Sequence, residues 1–329
     1  MRTYERNLLV VLLLLSALLS ISLLTRGHVW WDDFASYIMQ AQSLLNGSPR
    51  GFLDHNAFTI RNSSFPPGPV AYPWGFPALL APVLAVFGLK VLALKLVNTF
   101  FYVFFLAAFH SLARLRFSPA RSLVLTAILA FNPVLLHAHD LILSDIPFLA
   151  FSTLAVFLIE AGDHRRSLRA ALLTGAVIFA ATSIRVNGAL LLIPLLVSQF
   201  LRSPADPGRP RPVLLALPYI AFAALLGLLY LILPDGQQSY LSHYALLTPS
   251  RLMMNLSYYL RLPGELFRSL PLGPVFLILI ALLFFTGMVL GFRRNLVVLS
   301  YIAAVLGLFF TWPETQGARF LYPVLPLIL

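Results

Sequence analysis

The stretch LLVVLLLLSALLSISLL, Leu8–Leu24, carries no charge and is long enough to cross a bilayer as one helix. It follows the polar N-terminal segment MRTYERN, and no small-x-small cleavage site precedes Arg26. Its apolar core is longer than that of a typical secretory signal. We therefore predict an uncleaved first membrane span.

The rest of the chain has a similar composition. Of the 329 residues, 59% are hydrophobic and 11% are charged, whereas soluble domains have about a quarter of charged residues. This balance predicts an all-α polytopic membrane protein with no sizeable soluble domain. The chain has no cysteine, which excludes disulfides, thiolate metal sites and cysteine nucleophiles.

Further hydrophobic runs long enough to span follow the first one. The predicted spans are residues 8–25, 94–113, 122–139, 143–161, 170–184, 188–201, 213–233, 273–291 and 296–311. The final segment LYPVLPLIL, residues 321–329, begins a tenth run that is too short to cross. Either this segment is only partly inserted or the natural polypeptide continues beyond Leu329. The sequence thus predicts a bundle of nine or ten membrane helices in a single domain over residues 1–329.

The arginines set the predicted orientation. With the N-terminus in the cytoplasm, the inner loops hold 13 of the 23 Lys and Arg residues but four of the 12 acids. These basic residues are Arg2, Arg6, Arg114, Arg116, Arg121, Arg165, Arg166, Arg169, Arg202, Arg209, Arg211, Arg293 and Arg294. Every short inner loop is then basic, as the positive-inside rule requires. The net charge of +11 is therefore a sign of topology, and no nucleic-acid partner is predicted.

Two outer loops carry additional apolar segments. The Pro-rich segment at residues 72–90 would invert every later loop if it spanned, so we predict an interfacial or re-entrant helix there. Residues 34–45 have an apolar stripe at helical spacing, which predicts a second surface helix. The first outer loop, residues 26–93, would thus carry two surface helices. The second outer loop, residues 234–272, would carry one more.

With this orientation, polar side chains cluster at the outer ends of the spans. They are Asp32, Asp33, His137, His139, Asp140, Ser144, Asp145, Arg185, Asn187, Glu314, Gln316 and Arg319. Charged groups are costly to bury at the edge of the hydrocarbon, so such a ring predicts a cavity for a polar ligand. The mixture of acids and arginines fits an anionic group held beside a general base.

Four short motifs follow one another on the predicted outer face. Residues 33–47 contain the pattern D-x-x-x-Y-x-x-x-A-x-x-L-x-x-G, and YPWGFP, LSDIP and RFLYP follow at residues 72–77, 143–147 and 319–323. Their order resembles the GT-C glycosyltransferases, in particular the branch with protein O-mannosyltransferases and the lipid A aminoarabinose transferase. The chain departs from that branch in two places. Phe34 stands where a second acid commonly follows Asp33, and the second surface helix lacks the Lys-Pro-Pro or His-Pro-Pro entry.

The resemblance implies a glycosyltransferase with a polyprenyl-phosphate-linked sugar as its donor. It further implies an outward-facing site, an inverting transfer without a nucleotide sugar, and a glycan, lipid or protein acceptor. Arginine is far commoner than lysine, which occurs twice, at Lys90 and Lys95. That bias is typical of GC-rich bacterial genomes, so we expect a bacterial inner membrane and a role in building the cell envelope.

Asp33 is the predicted general base, because a carboxylate at a partly buried interface can accept the proton of an acceptor hydroxyl. Asp32 is the second catalytic candidate, in which case Asp33 caps the following helix. The predicted substrate-binding residues are Tyr37, Tyr72, His139, Asp145, Arg185 and Arg319. Arg185 and Arg319 would stabilise the leaving lipid phosphate.

Other interpretations of these residues remain open. Asp145 can cap the helix that follows it, and Arg185 and Arg319 can reach lipid phosphates as span-end arginines do. His137 and His139 form an H-x-H pattern, but the two rings point apart on a helix end and no further ligand is placed. An interfacial polar cluster is therefore favoured over a metal site. No cofactor is predicted, although some GT-C branches use a divalent metal.

Two rival functions belong to other classes. A flippase for a lipid-linked saccharide would place charges near the midplane of the spans and broken helices in matching halves, whereas here the charges lie at one face. A polyprenyl-diphosphate-dependent ligase or polymerase would use a large outer loop with several arginines. The loop 234–272 contains Arg251, Arg261 and Arg268, so this alternative stays open.

Overall fold

In a computed structural model the chain forms two compact units. The structure describes residues 3–29, 33–63, 69–201, 212–235, 247–265, 272–312, 315 and 317–328. The first unit comprises residues 1–189 and 210–238, and the second comprises residues 190–209 and 239–329. The prediction of one glycosyltransferase domain over residues 1–329 stays a prediction.

The described residues form helices joined by turns and loops, without a strand. The first unit contains α1 (Thr3–Ser22), α2 (Phe34–Leu45), α3 (Pro49–Asn62), α4 (Gly75–Phe87), α5 (Val91–Arg114), α6 (Pro119–Ala130), α7 (Pro133–His139), α8 (Asp145–Ala161), α9 (Leu168–Ile184) and α11 (Pro212–Ile232). The second unit contains α10 (Leu192–Phe200), α12 (Pro249–Glu265), α13 (Gly273–Leu290), α14 (Phe292–Thr311) and α15 (Leu325–Ile328). The predicted all-α class is thereby confirmed.

Five of these helices are long and apolar enough to cross a membrane, namely α1, α5, α11, α13 and α14. The α6–α7 pair passes the same test as one segment but bends by 58°. The predicted span 122–139 is therefore broken in the middle. Pro133 has no N–H for the helix ladder, and the Asn132 side chain instead caps α7 by accepting from the N–H groups of Val134 and Leu135. The membrane character of the protein is supported, while the nine- or ten-helix bundle stays a prediction.

Helix α1 buries polar residues and exposes leucines, which is typical of a membrane helix. Its buried residues are Glu5, Ser16 and Ser20, whereas Leu14 and Leu18 are more than half exposed. Membrane helices often turn small polar residues toward their neighbours, because lipid solvates leucine as well as another helix does. Helix α1 thus packs against its neighbouring helices through its few polar residues.

Helices α1 and α5 run antiparallel and are joined by polar contacts at both ends. At one end the Arg114 Nε atom donates to the buried Glu5 carboxylate over 2.5 Å. At the other end Lys95 Nζ donates to the Thr25 carbonyl oxygen over 2.9 Å. Glu5 and Arg114 were both predicted on the inner side, and Thr25 and Lys95 on the outer side. The antiparallel packing is compatible with the predicted inner and outer ends, and the orientation itself stays a prediction.

Three helices, rather than the predicted two, lie in the segment 26–93 that was predicted to be the first outer loop. Helices α2 and α4 match the predicted segments, and α3 lies between them. The hydrophobic pattern did not predict helix α3, because its sequence PRGFLDHNAFTIRN is largely polar. Phe52 and Leu53 provide its buried face, and they pack in one cluster with Trp74. Tertiary packing of two apolar side chains thus stabilises a helix that periodicity alone does not indicate.

Helix α4 is too short to cross a bilayer alone. Its 13 residues extend about 20 Å, whereas the hydrocarbon core is about 30 Å thick. It begins against the end of α9, where a Cβ on Gly75 would lie 2.5 Å from the Ser183 carbonyl carbon. Only glycine permits this approach, which brings the Tyr72–Trp74 segment to the end of α9.

In the second unit, α10 and α12 both pack against α14. The buried Asn255 of α12 donates from its amide nitrogen to the carbonyl oxygens of Phe310 and Trp312. These contacts satisfy carbonyl groups at the end of α14 that have no partner within the helix. The predicted helix of the second outer loop is therefore present as α12.

Candidate active site

Asp33 immediately precedes α2, yet its side chain makes no capping hydrogen bond to the helix. Its Oδ1 atom instead accepts a hydrogen bond from the Tyr72 hydroxyl over 2.6 Å. A neutral donor on a carboxylate gives a charge-assisted bond, which holds the carboxylate in one orientation. The capping interpretation of Asp33 therefore has no support in the geometry, and Tyr72 acts on the predicted base itself.

Tyr72 is held in turn by Gln40, a fully buried residue of α2 that sequence reasoning missed. The Tyr72 N–H donates to the Gln40 side-chain oxygen, and the Gln40 amide donates to the Tyr72 carbonyl, each over 3.0 Å. This paired contact fixes the 70–74 segment beside α2. Two turns of one helix thus carry both the predicted base and the clamp for its partner.

Tyr37 lies one helical turn after Asp33 on the same side of α2 and is buried. Its hydroxyl is 3.0 Å from the Ser144 hydroxyl, and its ring centroid is 4.7 Å from that of Tyr72. Burial raises the pKa of the Tyr37 phenol, the Asp33 charge raises it further, and the Arg185 charge opposes both. Tyr37 therefore stays neutral, and its hydroxyl connects α2 to the segment that carries Ser144 by a hydrogen bond.

Asp145 and Arg185 form an ion pair on the other side of Tyr37. Asp145 lies in the first turn of α8 and is buried, while Arg185 directly follows α9. The Arg185 Nη1 atom donates to Asp145 Oδ1. A carboxylate at a helix N-terminus and a cation at a helix C-terminus both complement the helix dipole. The two predicted substrate-binding residues are thus partners of each other.

The site around Tyr37 therefore brings together five of the predicted residues. Asp33, Tyr37, Tyr72, Asp145 and Arg185 come from four separate chain segments. They supply two carboxylates, one guanidinium and two phenols. Asp33 is half-buried, whereas Asp145 is almost completely enclosed. Such a site can accept a proton at Asp33 and can hold an anionic group near Arg185.

No known protein guides the interpretation of this geometry. No protein-family profile, curated protein or solved structure matches the chain. The likeness to GT-C glycosyltransferases is thus a resemblance in four short motifs. Three of those motifs contribute side chains to the site around Tyr37.

A cleft adjoins the site on the side of Tyr72. Its walls are the 71–74 segment, the end of α9 and the last turns of α11, with Leu226 and Leu229 among the lining residues. The cavity volume is about 30 Å³, about the space that one or two water molecules need. Trp74 closes one edge by donating from its indole nitrogen to the Pro234 carbonyl over 3.0 Å. The cleft is largely apolar and has Asp235 at its rim.

His139 lies elsewhere in the first unit, fully buried between α1 and α7. Its Nδ1 atom faces the Leu136 carbonyl, and its Nε2 atom is 3.0 Å from the Ser20 carbonyl. Both ring nitrogens therefore contact backbone oxygens, which ties α7 to α1. The predicted contact of His139 with substrate stays a prediction.

Asp140, the neighbour of His139, belongs to a polar cluster with the exposed Thr25 and the buried Lys95. Lys95 Nζ is 2.7 Å from Asp140 Oδ1, and Thr25 donates to Asp140 from both its N–H and its hydroxyl. Burial raises the pKa of Asp140, but the hydrogen bonds from Lys95 and Thr25 lower it to below its ordinary value. The carboxylate is therefore charged.

Within the described residues no three His, Asp or Glu side chains are grouped as a metal site would need. The prediction about metal stays a prediction.

Two further predicted residues are described apart from this site, because one belongs to the second unit and the other lies outside the described residues. Arg319 belongs to the second unit, where its guanidinium lies 5.9 Å from the ring centroid of Phe320. Its predicted contact with the donor phosphate stays a prediction. Asp32 lies outside the described residues, as do Glu314 and Gln316.

Sequence reasoning missed Gln40, Lys95 and Asn98. Each is a polar residue inside an otherwise apolar helix, and each is buried. An intramembrane or interfacial polar side chain is costly unless it is paired, so such residues are functional candidates by default. Lys95 had this mark in the sequence, because it interrupts the first turn of a predicted span. Its partners, Thr25 and Asp140, were not identifiable without the packing of three segments.

Proposed function

We propose that this protein is a membrane glycosyltransferase of the GT-C type. It transfers a sugar from a polyprenyl-phosphate carrier to an acceptor hydroxyl on the extracytoplasmic face. The observation that supports this proposal best is the arrangement around Tyr37. A half-buried carboxylate, oriented by a tyrosine hydroxyl, shares one site with a buried carboxylate–arginine pair at the end of membrane helices α1 and α5.

Asp33 acts as the general base in this proposal. The acceptor hydroxyl gives its proton to the Asp33 carboxylate as its oxygen attacks the anomeric carbon. The bond between that carbon and the phosphate oxygen breaks, and its electron pair stays on the phosphate. The products are the glycosylated acceptor and the polyprenyl phosphate. Tyr72 keeps the carboxylate oriented toward the acceptor by holding Oδ1.

Arg185 stabilises the charge that grows on the leaving phosphate. Its guanidinium has five N–H donors in a planar fork, and the bond to Asp145 uses Nη1. Asp145 therefore orients the guanidinium through this bond. Because the Arg185 and Asp145 side chains are 18% and 5% exposed, the attraction between guanidinium and phosphate is stronger than in bulk water.

The cleft beside Tyr72 offers an apolar surface to the start of the carrier's prenyl chain, although it is too small to enclose a prenyl unit. Leu226 and Leu229 line it, and most of α11 is exposed on the surface of its unit. An apolar chain entering from the lipid would meet these leucines before its phosphate reaches Arg185. The proposed donor thus places its apolar part against apolar walls and its charge near the guanidinium.

The test is a transfer assay with the purified protein in liposomes. Each member of a panel of polyprenyl-phosphate sugars, labelled in the sugar, is added with solubilised envelope acceptors. We expect one donor to release polyprenyl phosphate in step with labelled acceptor, while the matching nucleotide sugars give no product. Movement of an intact donor across the bilayer without cleavage would indicate the flippase instead. Consumption of polyprenyl-diphosphate donors alone would indicate the ligase.

A further inference from the structure

Helix α5 presents two buried polar residues, Lys95 and Asn98, on one face. They are three residues apart, so they lie side by side on the helix. Lys95 Nζ is within 2.9 Å of four oxygens, namely the Thr25 carbonyl and hydroxyl, the Gly27 carbonyl and an Asp140 carboxylate oxygen. Such a cage of oxygens satisfies an ammonium group that is completely removed from solvent.

The oxygens around Lys95 belong to two chain segments that lead into the candidate active site. Residues 25–28 precede Asp33, and residues 140–143 precede Ser144 and Asp145. The two segments are also joined directly. The Ile142 N–H donates to His28 Nε2 over 2.8 Å, and the His28 ring stacks on Phe34 with centroids 3.9 Å apart.

Asn98 holds the second of these segments. Its amide nitrogen donates to the carbonyl oxygens of Leu141 and Leu143, the latter over 3.0 Å. Ser144, which follows, contacts Tyr37, and Asp145 pairs with Arg185. One face of α5 therefore fixes the backbone on both sides of the site, although neither Lys95 nor Asn98 belongs to the group around Tyr37.

We propose that Lys95 and Asn98 are positioning residues, which align the segment that carries Asp33 with the segment that carries Ser144 and Asp145. A buried ammonium has a large desolvation cost, and an apolar side chain of the same length would pack without it. An apolar side chain cannot bind two backbone carbonyls and a carboxylate at once. The ammonium is therefore explained by the alignment that it imposes. This inference rests on the proposed function, because the alignment matters through Asp33.

The test compares Lys95→Met with Lys90→Met in the full-length protein. Methionine keeps the length of the side chain and removes the charge, and Lys90 is the other lysine of the chain, exposed just before the same helix. We expect Lys95→Met to lower kcat for sugar transfer roughly 100-fold, because small displacements of catalytic groups have effects of this size. The KM for the donor should change little, since Asn98 still holds the backbone beside Asp145 and its ion pair with Arg185. Lys90→Met should leave both constants unchanged.

A second measurement does not depend on activity. The chain has no cysteine, so spin labels can be attached to Ala35→Cys and His137→Cys, two exposed positions on α2 and α7. We expect the distance distribution between the labels to broaden in Lys95→Met and to stay unchanged in Lys90→Met. If the wild type transfers no sugar, the proposed function fails while the distances still test the alignment.

Two results would overturn the inference. One is a Lys95→Met protein with wild-type kcat, and the other is an unchanged distance distribution. If Lys95→Met does not fold, Thr25→Val replaces it. This change keeps the side-chain shape and removes the hydroxyl that binds both Lys95 and Asp140. We expect it to have the same effects on kcat and on the distances at smaller amplitude, and a wild-type result in this variant would equally contradict the proposal.

Discussion

Replacement of Asp33 with Asn is expected to lower the turnover of sugar transfer by roughly 10²–10⁴-fold, the contribution of a positioned general base. Asparagine keeps the shape of the side chain, and its oxygen can still accept the hydrogen bond that Tyr72 donates to Oδ1. The site therefore keeps its geometry and loses its base. The measurement is the initial rate of label transfer in liposomes at saturating donor.

The matched control is Asp54→Asn. Asp54 is an exposed acid of α3 in the same loop, so its replacement removes one negative charge without touching the site. We expect wild-type turnover in this variant. Turnover by Asp33→Asn that equals the wild type would remove Asp33 from the mechanism. A loss of activity in both variants would show that charge in the loop, rather than the base, is what matters.

Replacement of Arg185 with Met is expected to destabilise the protein by about 3 kcal/mol, near the low end of the cost of breaking a buried ion pair. The change leaves the carboxylate of Asp145 buried without its cation, and the Asp145 side chain is 5% exposed. The low end applies because the Arg185 side chain keeps 18% of its surface exposed. The free energy of unfolding in mixed micelles is the quantity to measure.

Three companion variants complete this comparison, namely Arg169→Met, Asp145→Asn and the double variant of Asp145→Asn with Arg185→Met. Arg169→Met removes an exposed arginine from the opposite end of α9, and we expect it to change stability by less than about 0.5 kcal/mol. Adding Asp145→Asn to Arg185→Met removes the unpaired charge, so the double variant should regain most of the lost stability. A double variant as unstable as the sum of its two single variants would contradict the ion pair.

The sequence was sufficient for the parts of the fold that depend on long apolar runs. The uninterrupted run at Leu8–Leu24 becomes helix α1, and the shorter segment at Tyr72–Lys90 contains the 13-residue α4. The first prediction rests on helix length against bilayer thickness, which is a local property of the chain. The second rests on the arginines of the later loops, which a span at this place would put on the wrong side. The break in the span 122–139 was also readable in principle, because Asn132 and Pro133 form a helix cap and a first helical position.

The pairings within the site were not predictable to the same degree. Asp145 and Arg185 were each predicted to bind substrate, but their contact depends on how α8 packs along α9 over 40 residues of sequence. Tyr72 was likewise assigned to the substrate, whereas its hydroxyl binds Asp33. A hydrophobic pattern states which face of a helix is buried and leaves open which polar groups meet across it. Lys95 shows the same limit, since its four oxygens come from segments 45 to 70 residues away in the chain.

The orientation of the site in the membrane is the claim on which the proposed function depends most, and labelling of single cysteines tests it directly. Ala35→Cys places a thiol on the exposed side of α2 beside Asp33, and Ala120→Cys places one at the exposed start of α6. A membrane-impermeant maleimide is added to right-side-out vesicles, before and after permeabilisation. We expect Ala35→Cys to react in sealed vesicles and Ala120→Cys to react only after permeabilisation. The reverse pattern would put Asp33 on the cytoplasmic side and contradict the account.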